Sequence, residues 1–424
     1  MIKIYDLNKI DKNQILNREE EIVDVSSIVS EILQDVKVNG DSALFKYAQK
    51  FDGVVLENLK VTESEIEEAY NTVEPEFIRV LKTARDNITE FHKKQVREGF
   101  KTQKDGVITG QKIIPIEKVG LYVPGGTAGY PSTVLMDAIP AIIAGCKEIV
   151  VVSPPNKQGK INPYVLTAVK ILGLNTVYKT GGAQAIGALA FGTETISKVD
   201  KIVGPGNVFV AEAKKQVFGK VNIDMIAGPS EIMVVADASA NPRFLAADLL
   251  SQAEHDKNAS AVLITNDMNI ANQTAKELEI QIPKLVRSEI AEASINKNGK
   301  IIVAKSIEEC IELANQMAPE HLELCLNDAF EYVDKVVNAG SVFVGNYCPE
   351  AMGDYYAGSN HTLPTSGTAR FSSPLSVDDF IKKTQFISYT KEALQKVYKD
   401  VELFANKEGL TAHAKSVTVR FEEE

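Results

Sequence analysis

The sequence predicts an α/β protein with two parallel-sheet domains, an N-terminal arm and a helical C-terminal tail. Three observations carry this. Between residues 148 and 218, short apolar runs alternate with amphipathic stretches through glycine turns, the pattern of βαβαβ units. The same beat restarts between residues 232 and 344. Beyond about residue 375 the periodicity becomes helical.

In chain order, residues 1–20 read as an extended arm. From residue 21 to about 100 the chain is mostly helical: Ile28, Ile32 and Val36, then Ala43, Leu44, Tyr47 and Ala48, have helical spacing, with Asn39-Gly40-Asp41 as punctuation. A second long helix is expected over Glu74–Arg97, and Lys104-Asp105-Gly106 is a hairpin turn between short strands. Glu148–Ser153 is a buried strand closed by Pro154-Pro155. Strands Thr176–Lys179 and Lys201–Val203 then alternate with helices Pro163–Leu172, Ala183–Phe191 and Asn207–Phe218. In the second beat, strands Ile232–Val235, Ala261–Ile264, Lys300–Val303 and Ser341–Val344 alternate with helices Pro242–His255, Ile270–Ile280 and Ile307–Met317. In the tail, Leu394, Val397, Tyr398, Val401 and Phe404 share one helical face, of the kind that packs on a partner subunit. The expected division is an arm over 1–20, a first α/β domain from 21–120 with 232–375, a second over 121–231, and a tail over 376–424.

The chain has 424 residues, 44% hydrophobic and 24% charged, which supplies a real core and excludes a mainly disordered chain or a disulfide-stapled miniprotein. Its 46 Lys and Arg against 57 Asp and Glu leave a net charge of −11, which argues against a general nucleic-acid coat. The start, Met1 to Leu7, turns polar before any apolar stretch of signal-peptide length. The longest apolar run, around Ala138–Ala144, falls far short of the ~20 residues that cross a bilayer. Neither a membrane nor a nucleic acid is therefore an expected partner. Cys146, Cys310, Cys325 and Cys348 form no C-x-x-C pair, so a zinc ribbon or iron–sulfur cluster is not expected, and a reducing, cytoplasmic compartment is. Cys325 and Cys348 sit in apolar or strand-like context and are expected to be inert thiols.

Four of the five histidines lie in the last 170 residues, in polar or acidic company. Gln252 and His255 are three apart and share a helix face. With an Asp and a second His from distant segments they would complete four N/O ligands for zinc. Spacing alone leaves open that they are satisfied polar residues at helix ends. Glu320 and His321 are adjacent, so both can reach one site only at a helix end or turn, which Pro319 signals. Such a pair supplies a general base and a proton shuttle; a surface Glu beside a half-buried His is the alternative. His92, beside Lys93 and Lys94, is expected on the solvated surface. No G-x-G-x-x-G occurs, but Gly181-Gly182 and Gly204-Pro205-Gly206-Asn207 each follow a strand and open a helix, and Gly125-Gly126 follows Leu121-Tyr122-Val123-Pro124. Such turns offer backbone N–H groups to a phosphate, which points to a nucleotide-binding lobe.

The chain resembles the histidinol dehydrogenase family over nearly its whole length. The matching segments include Val119–Gly126, Gly181–Ile186, Gly204–Asn207, Ala227–Glu231, Leu249–His255, Pro319–Leu322, Gly340–Phe343, Asn360–Thr365 and Leu410–His413. The resemblance implies two Rossmann-like but incomplete domains, the 121–231 domain binding NAD and the other carrying the catalytic and metal residues. It implies oxidation of the small molecule L-histidinol to L-histidine through the aldehyde, with two NAD⁺ consumed and one zinc per subunit. By motif match, Gln252, His255, Asp354 and His413 would hold zinc, and Glu320 and His321 would be the acid–base pair. Ser230, Gln252, His255, His321, Asp354, Glu408 and His413 would line the substrate, with His361 as a further pocket residue. Tyr122, Gln184 and Asn207 would contact NAD. It also implies a homodimer in which the tail crosses over, so that Glu408 and His413 serve the partner's site.

Two other classes fit the residues taken alone. A zinc hydrolase could use the same ligands with Glu320 as base, but has no need of the glycine-turn lobe. A non-catalytic two-lobed binder has no need of histidines clustered with carboxylates.

Overall fold

The computed structural model describes residues 2–7, 9, 24–125 and 129–422. Residues 10–20 of the expected arm, and Gly126, lie outside the described residues. The chain forms two compact units: Met1–Gln95 with Ile116–Phe380, and Val96–Pro115 with Ile381–Glu424. In chain order the strands are β1 (Lys3–Asp6), β2 (Phe100–Lys104), β3 (Val107–Pro115), β4 (Lys118–Tyr122), β5 (Glu148–Ser153), β6 (Val177–Lys179) and β7 (Lys201–Val203). They continue as β8 (Asn222–Ile223), β9 (Glu231–Ala236), β10 (Ser260–Thr265), β11 (Lys300–Val303), β12 (His321–Cys325), β13 (Ser341–Val344) and β14 (Ile381–Tyr389).

The first unit holds two parallel sheets. One has the order β6-β5-β4-β7-β8, the other β1-β11-β10-β9-β12-β13. Each is doubly wound. The strand order reverses between β4 and β7 in one and between β9 and β12 in the other, the places where such sheets open a crevice. Both α/β beats read from the sequence are present, with strands β5, β7, β11 and β13 at the expected bounds.

Alternate strand residues feed opposite cores of the five-stranded sheet. Val150 and Val152 face one way, packed with Val29, Ile32 and Val36 of helix Ser26–Tyr47 and with Ile186 and Leu189 of helix Gly182–Phe191. Val151 and Leu121 face the other way, packed with Ile66, Leu81 and Ile88 and with helix Pro131–Ala144. The helices before residue 95 therefore belong to the five-stranded sheet. The expected grouping of 21–120 with 232–375 is corrected on this point: the apolar faces of those helices are buried by the other lobe's helices. Helix Ser26–Tyr47 breaks at Gly40 (φ 50°, ψ −129°), a backbone conformation that favours glycine, where the sequence carries its punctuation.

β12 was not among the expected strands, yet it is central and fully buried between β9 and β13. Glu323 in its middle interrupts the apolar run that marks a buried strand. In the second unit, β14-β3-β2 form an antiparallel sheet. The turn Asp105-Gly106 has φ of 51° and 82°, the two positive values a type I′ hairpin needs. The expectation of a helical tail over 376–424 is corrected in its first part by the nine-residue strand β14. That strand is exposed along most of its length, so its ladder with β3 rather than an apolar face defines it, and periodicity does not betray it. Helices Lys391–Lys407 and Thr411–Thr418 follow. On the first of them, Val401, Leu403 and Phe404 remain 43–69% exposed. Among the described residues, no helix is long and apolar enough to cross a membrane.

Candidate active site

The winding of the six-stranded sheet brings each helix back to the start of the next strand. His255 follows helix Pro242–Ala253 on the way to β10. Glu320 and His321 follow helix Ile307–Met317 at the start of β12. The reversal between them is made by Ala318, held at φ 49° and fully buried, an unusual conformation for a residue with a Cβ. Glu231 opens the neighbouring strand β9. All these residues thus meet at one edge of the sheet.

Glu231 orients the pair through its main chain. Its N–H donates to Glu320 Oε2 at 2.8 Å, and its carbonyl lies 2.9 Å from His321 Nδ1. A carbonyl oxygen only accepts, so Nδ1 carries a hydrogen and Nε2 is the atom left to exchange protons. Nε2 has no hydrogen-bond partner among the described residues and stands 3.5 Å from Asp354 Oδ1. Nδ1 lies 3.7 Å from Glu320 Oε2, and the Phe343 ring stacks on the imidazole at 6.0 Å. Burial pushes Glu320 up to about 8, against the opposing pull of His321. Burial alone would lower His321, but Glu320 and Asp354 outweigh it and raise the imidazole to about 10.

A layer of carboxyls stands behind this pair. His321, Glu350 and Asp354 each offer a donor atom within 4.8 Å of the others. Glu350 is raised to about 7 by burial and by Asp354, and its N–H donates to Glu323 Oε1 at 2.8 Å. Glu323 is raised well above the ordinary value by burial and by Asp248, which is itself raised to about 6 by burial. Asp248, Glu323 and Cys325 form a second close group. Glu231, Asp248, Glu323 and Glu350 were not among the sequence candidates. Two of them carried a signal: Asp248 lies four residues before Gln252 and Glu350 four before Asp354, each pair on one helical face. Cys325 is buried, with its thiol raised by burial and by Glu323, as expected of an inert residue.

His255 and His361 complete the imidazole group. Both are held below the ordinary value, chiefly by desolvation, and both feel Asp354 and His321. Gln252 is buried in the last turn of its helix, and the His255 N–H donates to its carbonyl at 3.1 Å. Ser230 is half-buried, with its carbonyl accepting from Ser260 N–H at 2.9 Å. His92 is corrected: it is fully buried, not solvated. It continues the stripe Leu81, Ala84, Ile88, with Nδ1 2.7 Å from Gln95 Oε1 and Nε2 3.5 Å from Asn360 Nδ2. Lys93 and Lys94 are exposed; their charge misled the reading of their neighbour.

The glycine turns lie at the opposite, C-terminal edge of the five-stranded sheet. Tyr122 ends β4, and its hydroxyl accepts from Gly182 N–H at 3.0 Å. Burial pushes that phenol up to about 12. Gln184 is buried in the first turn of helix Gly182–Phe191. Asn207 caps helix Val208–Val217, accepting from Phe209 and Val210 N–H at 3.1 and 3.2 Å. Gly204 has φ 117°, and a Cβ there would strike the Tyr122 carbonyl. Its N–H donates to Asp224 Oδ2 at 2.8 Å and its carbonyl accepts from Lys214 Nζ at 3.0 Å, while Lys214 and Asp224 form a buried ion pair. Glu408 and His413 belong to the second unit, where Glu408 ends helix Lys391–Lys407 and His413 is exposed in helix Thr411–Thr418.

A buried carboxyl–imidazole pair, backed by carboxyls at one sheet's edge, with glycine turns opening helices on a second sheet, is an arrangement that suits acid–base chemistry in an α/β enzyme. A family model described as histidinol dehydrogenase matches residues 16–421. A histidinol dehydrogenase of Bacillus cereus is 53% identical over 418 residues, covering 98% of this chain and 97% of the relative. One of Listeria innocua is 56% identical over 401 residues, covering 94% of each. The crystal structure of histidinol dehydrogenase from Elizabethkingia anophelis superposes with a TM-score of 0.94 at 43% identity, covering 99% of this chain and 98% of that one. The chain belongs to the histidinol dehydrogenase family.

Proposed function

We propose that the chain oxidises L-histidinol to L-histidine through the aldehyde, with NAD⁺ as hydride acceptor and a zinc ion in the site. The observation that carries this is the fixing of Glu320 and His321 on the main-chain N–H and carbonyl of one residue, Glu231, with Asp354 beside the free imidazole nitrogen. Gln252, His255 and Asp354, with His413 of the partner subunit's tail, would hold the zinc. The local chemistry suits a cation: Glu320, Glu350 and His321 all hold their protons more tightly than usual, which is how a crowded group of carboxyls neutralises itself without one. Orphaned His321 Nε2 and Glu350 Oε2 point to the same deficit of partners. When bound, zinc supplies a Lewis-acidic anchor for the substrate's nitrogens.

His321 Nε2 takes the proton of the substrate hydroxyl as the first hydride leaves, while Glu231 keeps Nδ1 protonated and the ring in place. Glu320, with Oε2 tied to Glu231 N–H, has Oε1 left to accept a proton from the water that adds to the aldehyde. His321 passes its first proton to solvent, and the hydrate then gives its hydroxyl proton to the freed Nε2 as the second hydride leaves. Ser230 and His361 line the substrate, and Asp354 and the partner's Glu408 offset its amine. Tyr122, Gln184 and Asn207 contact the cofactor at the glycine turns.

The reading includes a cytoplasmic homodimer with shared sites. The exposed apolar residues of helix Lys391–Lys407 support the dimer, and the free cysteines suit a reducing compartment. The test is NADH formation on adding histidinol to the purified dimer, before and after chelation. The reading expects activity lost with chelator and restored by zinc. Activity indifferent to complete metal removal overturns the zinc assignment, and no NADH from zinc-loaded dimer overturns the reaction.

A further inference from the structure

Asp137 is a carboxyl that the reaction above does not use. It sits in helix Pro131–Ala144, fully buried among apolar neighbours such as Met136 and Ala138. A carboxyl in such a place is costly unless it serves a partner. Its Oδ1 accepts from the Thr362 hydroxyl at 2.9 Å, and its Oδ2 has no hydrogen-bond partner among the described residues. The preceding residue takes hold of the same loop: Asn360 Nδ2 donates to the Met136 carbonyl at 2.7 Å. In an uninterrupted helix that carbonyl would accept from the N–H four residues on. Here that residue is Pro140, which has none. The proline thus frees one acceptor and the next residue supplies a second. Together they grip residues 360 and 362, on either side of His361. The Thr362 N–H donates to Asn360 Oδ1 at 2.8 Å and closes the loop on itself. Asn360 and Thr362 are buried, while His361 between them is half-buried and feels Asp354 and His321.

We propose that Asp137 is a positioning residue: with the Met136 carbonyl freed by Pro140, it holds the Asn360–Thr365 loop through Thr362 and so sets His361 against the substrate. The proposal rests on the reading of His361 as a substrate-pocket residue. Burial raises Asp137 to about 8, with Asp224 adding and Thr362 and Lys214 opposing, so the neutral acid is the main form near pH 7 and an amide reproduces its acceptor.

The experiment compares full-length, zinc-loaded Asp137→Leu, Thr362→Val, their combination, and the conservative Asp137→Asn and Thr362→Ser. Loss of one buried hydrogen bond corresponds to a histidinol KM about 10-fold higher. The expected result is that rise in Asp137→Leu and Thr362→Val, no further rise in the double variant, and an NAD KM within about two-fold of wild type. The two conservative variants stay within about two-fold on both constants. Amide hydrogen exchange over residues 358–367, without substrate, is faster in the two disruptive variants only. Multiplying effects in the double variant, an equal rise in NAD KM, or unchanged loop exchange overturns the proposal. If Asp137→Leu does not fold, Thr362→Val against Thr362→Ser decides it. Altered loop exchange in a wild-type background that oxidises no histidinol sinks the proposed reaction and leaves the loop positioning standing.

Discussion

Replacing Asp137 by Asn removes a penalty that the native protein accumulates as pH rises. The carboxyl is fully buried and raised from 3.8 to about 8. In the unfolded chain it titrates near the ordinary value. Below that value both states are protonated and the group contributes nothing. Between the two values the unfolded chain has released its proton while the folded chain keeps it, so rising pH favours unfolding. Above the folded value the penalty is complete. Each pH unit inside the window is worth up to ~1.4 kcal/mol. About three such units separate pH 5 from the folded value, giving a change of about 4 kcal/mol at most between pH 5 and 9. The assay is urea unfolding of wild type and Asp137→Asn at several pH values, with protein concentration and zinc content held fixed. The difference in stability grows in favour of Asn across that range. Parallel curves, with a difference constant to within ~0.5 kcal/mol, refute the reasoning, because they mean that Asp137 is already ionised in the folded protein at pH 5.

Other expectations follow from the site. Glu320→Gln keeps the acceptor for Glu231 N–H but cannot take a proton from water, so it yields about one NADH per histidinol with aldehyde released; two NADH at the wild-type rate would remove Glu320 from that role. His413→Asn lowers zinc content and activity together, read by metal analysis; full metal retention contradicts its place as a ligand. Heterodimers of a His413→Asn chain with a Glu320→Gln chain recover part of the activity if tails are exchanged, and none if each site is built from one chain. Lys214→Met strands Asp224 in the interior and costs about 3–5 kcal/mol in urea unfolding, with a raised NAD KM because the Gly204 turn loses its clamp.

Much of the first unit was legible because parallel strands buried on both faces write themselves as apolar runs. Glu148–Ser153 and Lys300–Val303 need no tertiary information to be found. The adjacency of Glu320 and His321 also reads correctly as a helix-end feature, since Pro319 and the Ala318 turn do place both residues on Glu231. What the sequence hid was structure defined by distant partners. β12 carries a glutamate whose partners Asp248 and Glu350 lie far off in sequence, and β14 is held by its ladder to β3 rather than by an apolar face. His92 was misread for the same reason. Its neighbours in sequence are lysines, whereas its partners in space are Gln95 and Asn360, the latter 268 residues away. The Asp137–Thr362 contact spans 225 residues and leaves no local pattern.

The most direct test of the central claim is the number of NADH formed per histidinol by the zinc-loaded dimer with NAD⁺ in excess. Two, with histidine as the product and no free aldehyde, is the result expected of a site in which His321 serves both oxidations and Glu320 the hydration between them. One, with aldehyde accumulating in the wild-type protein, would contradict it.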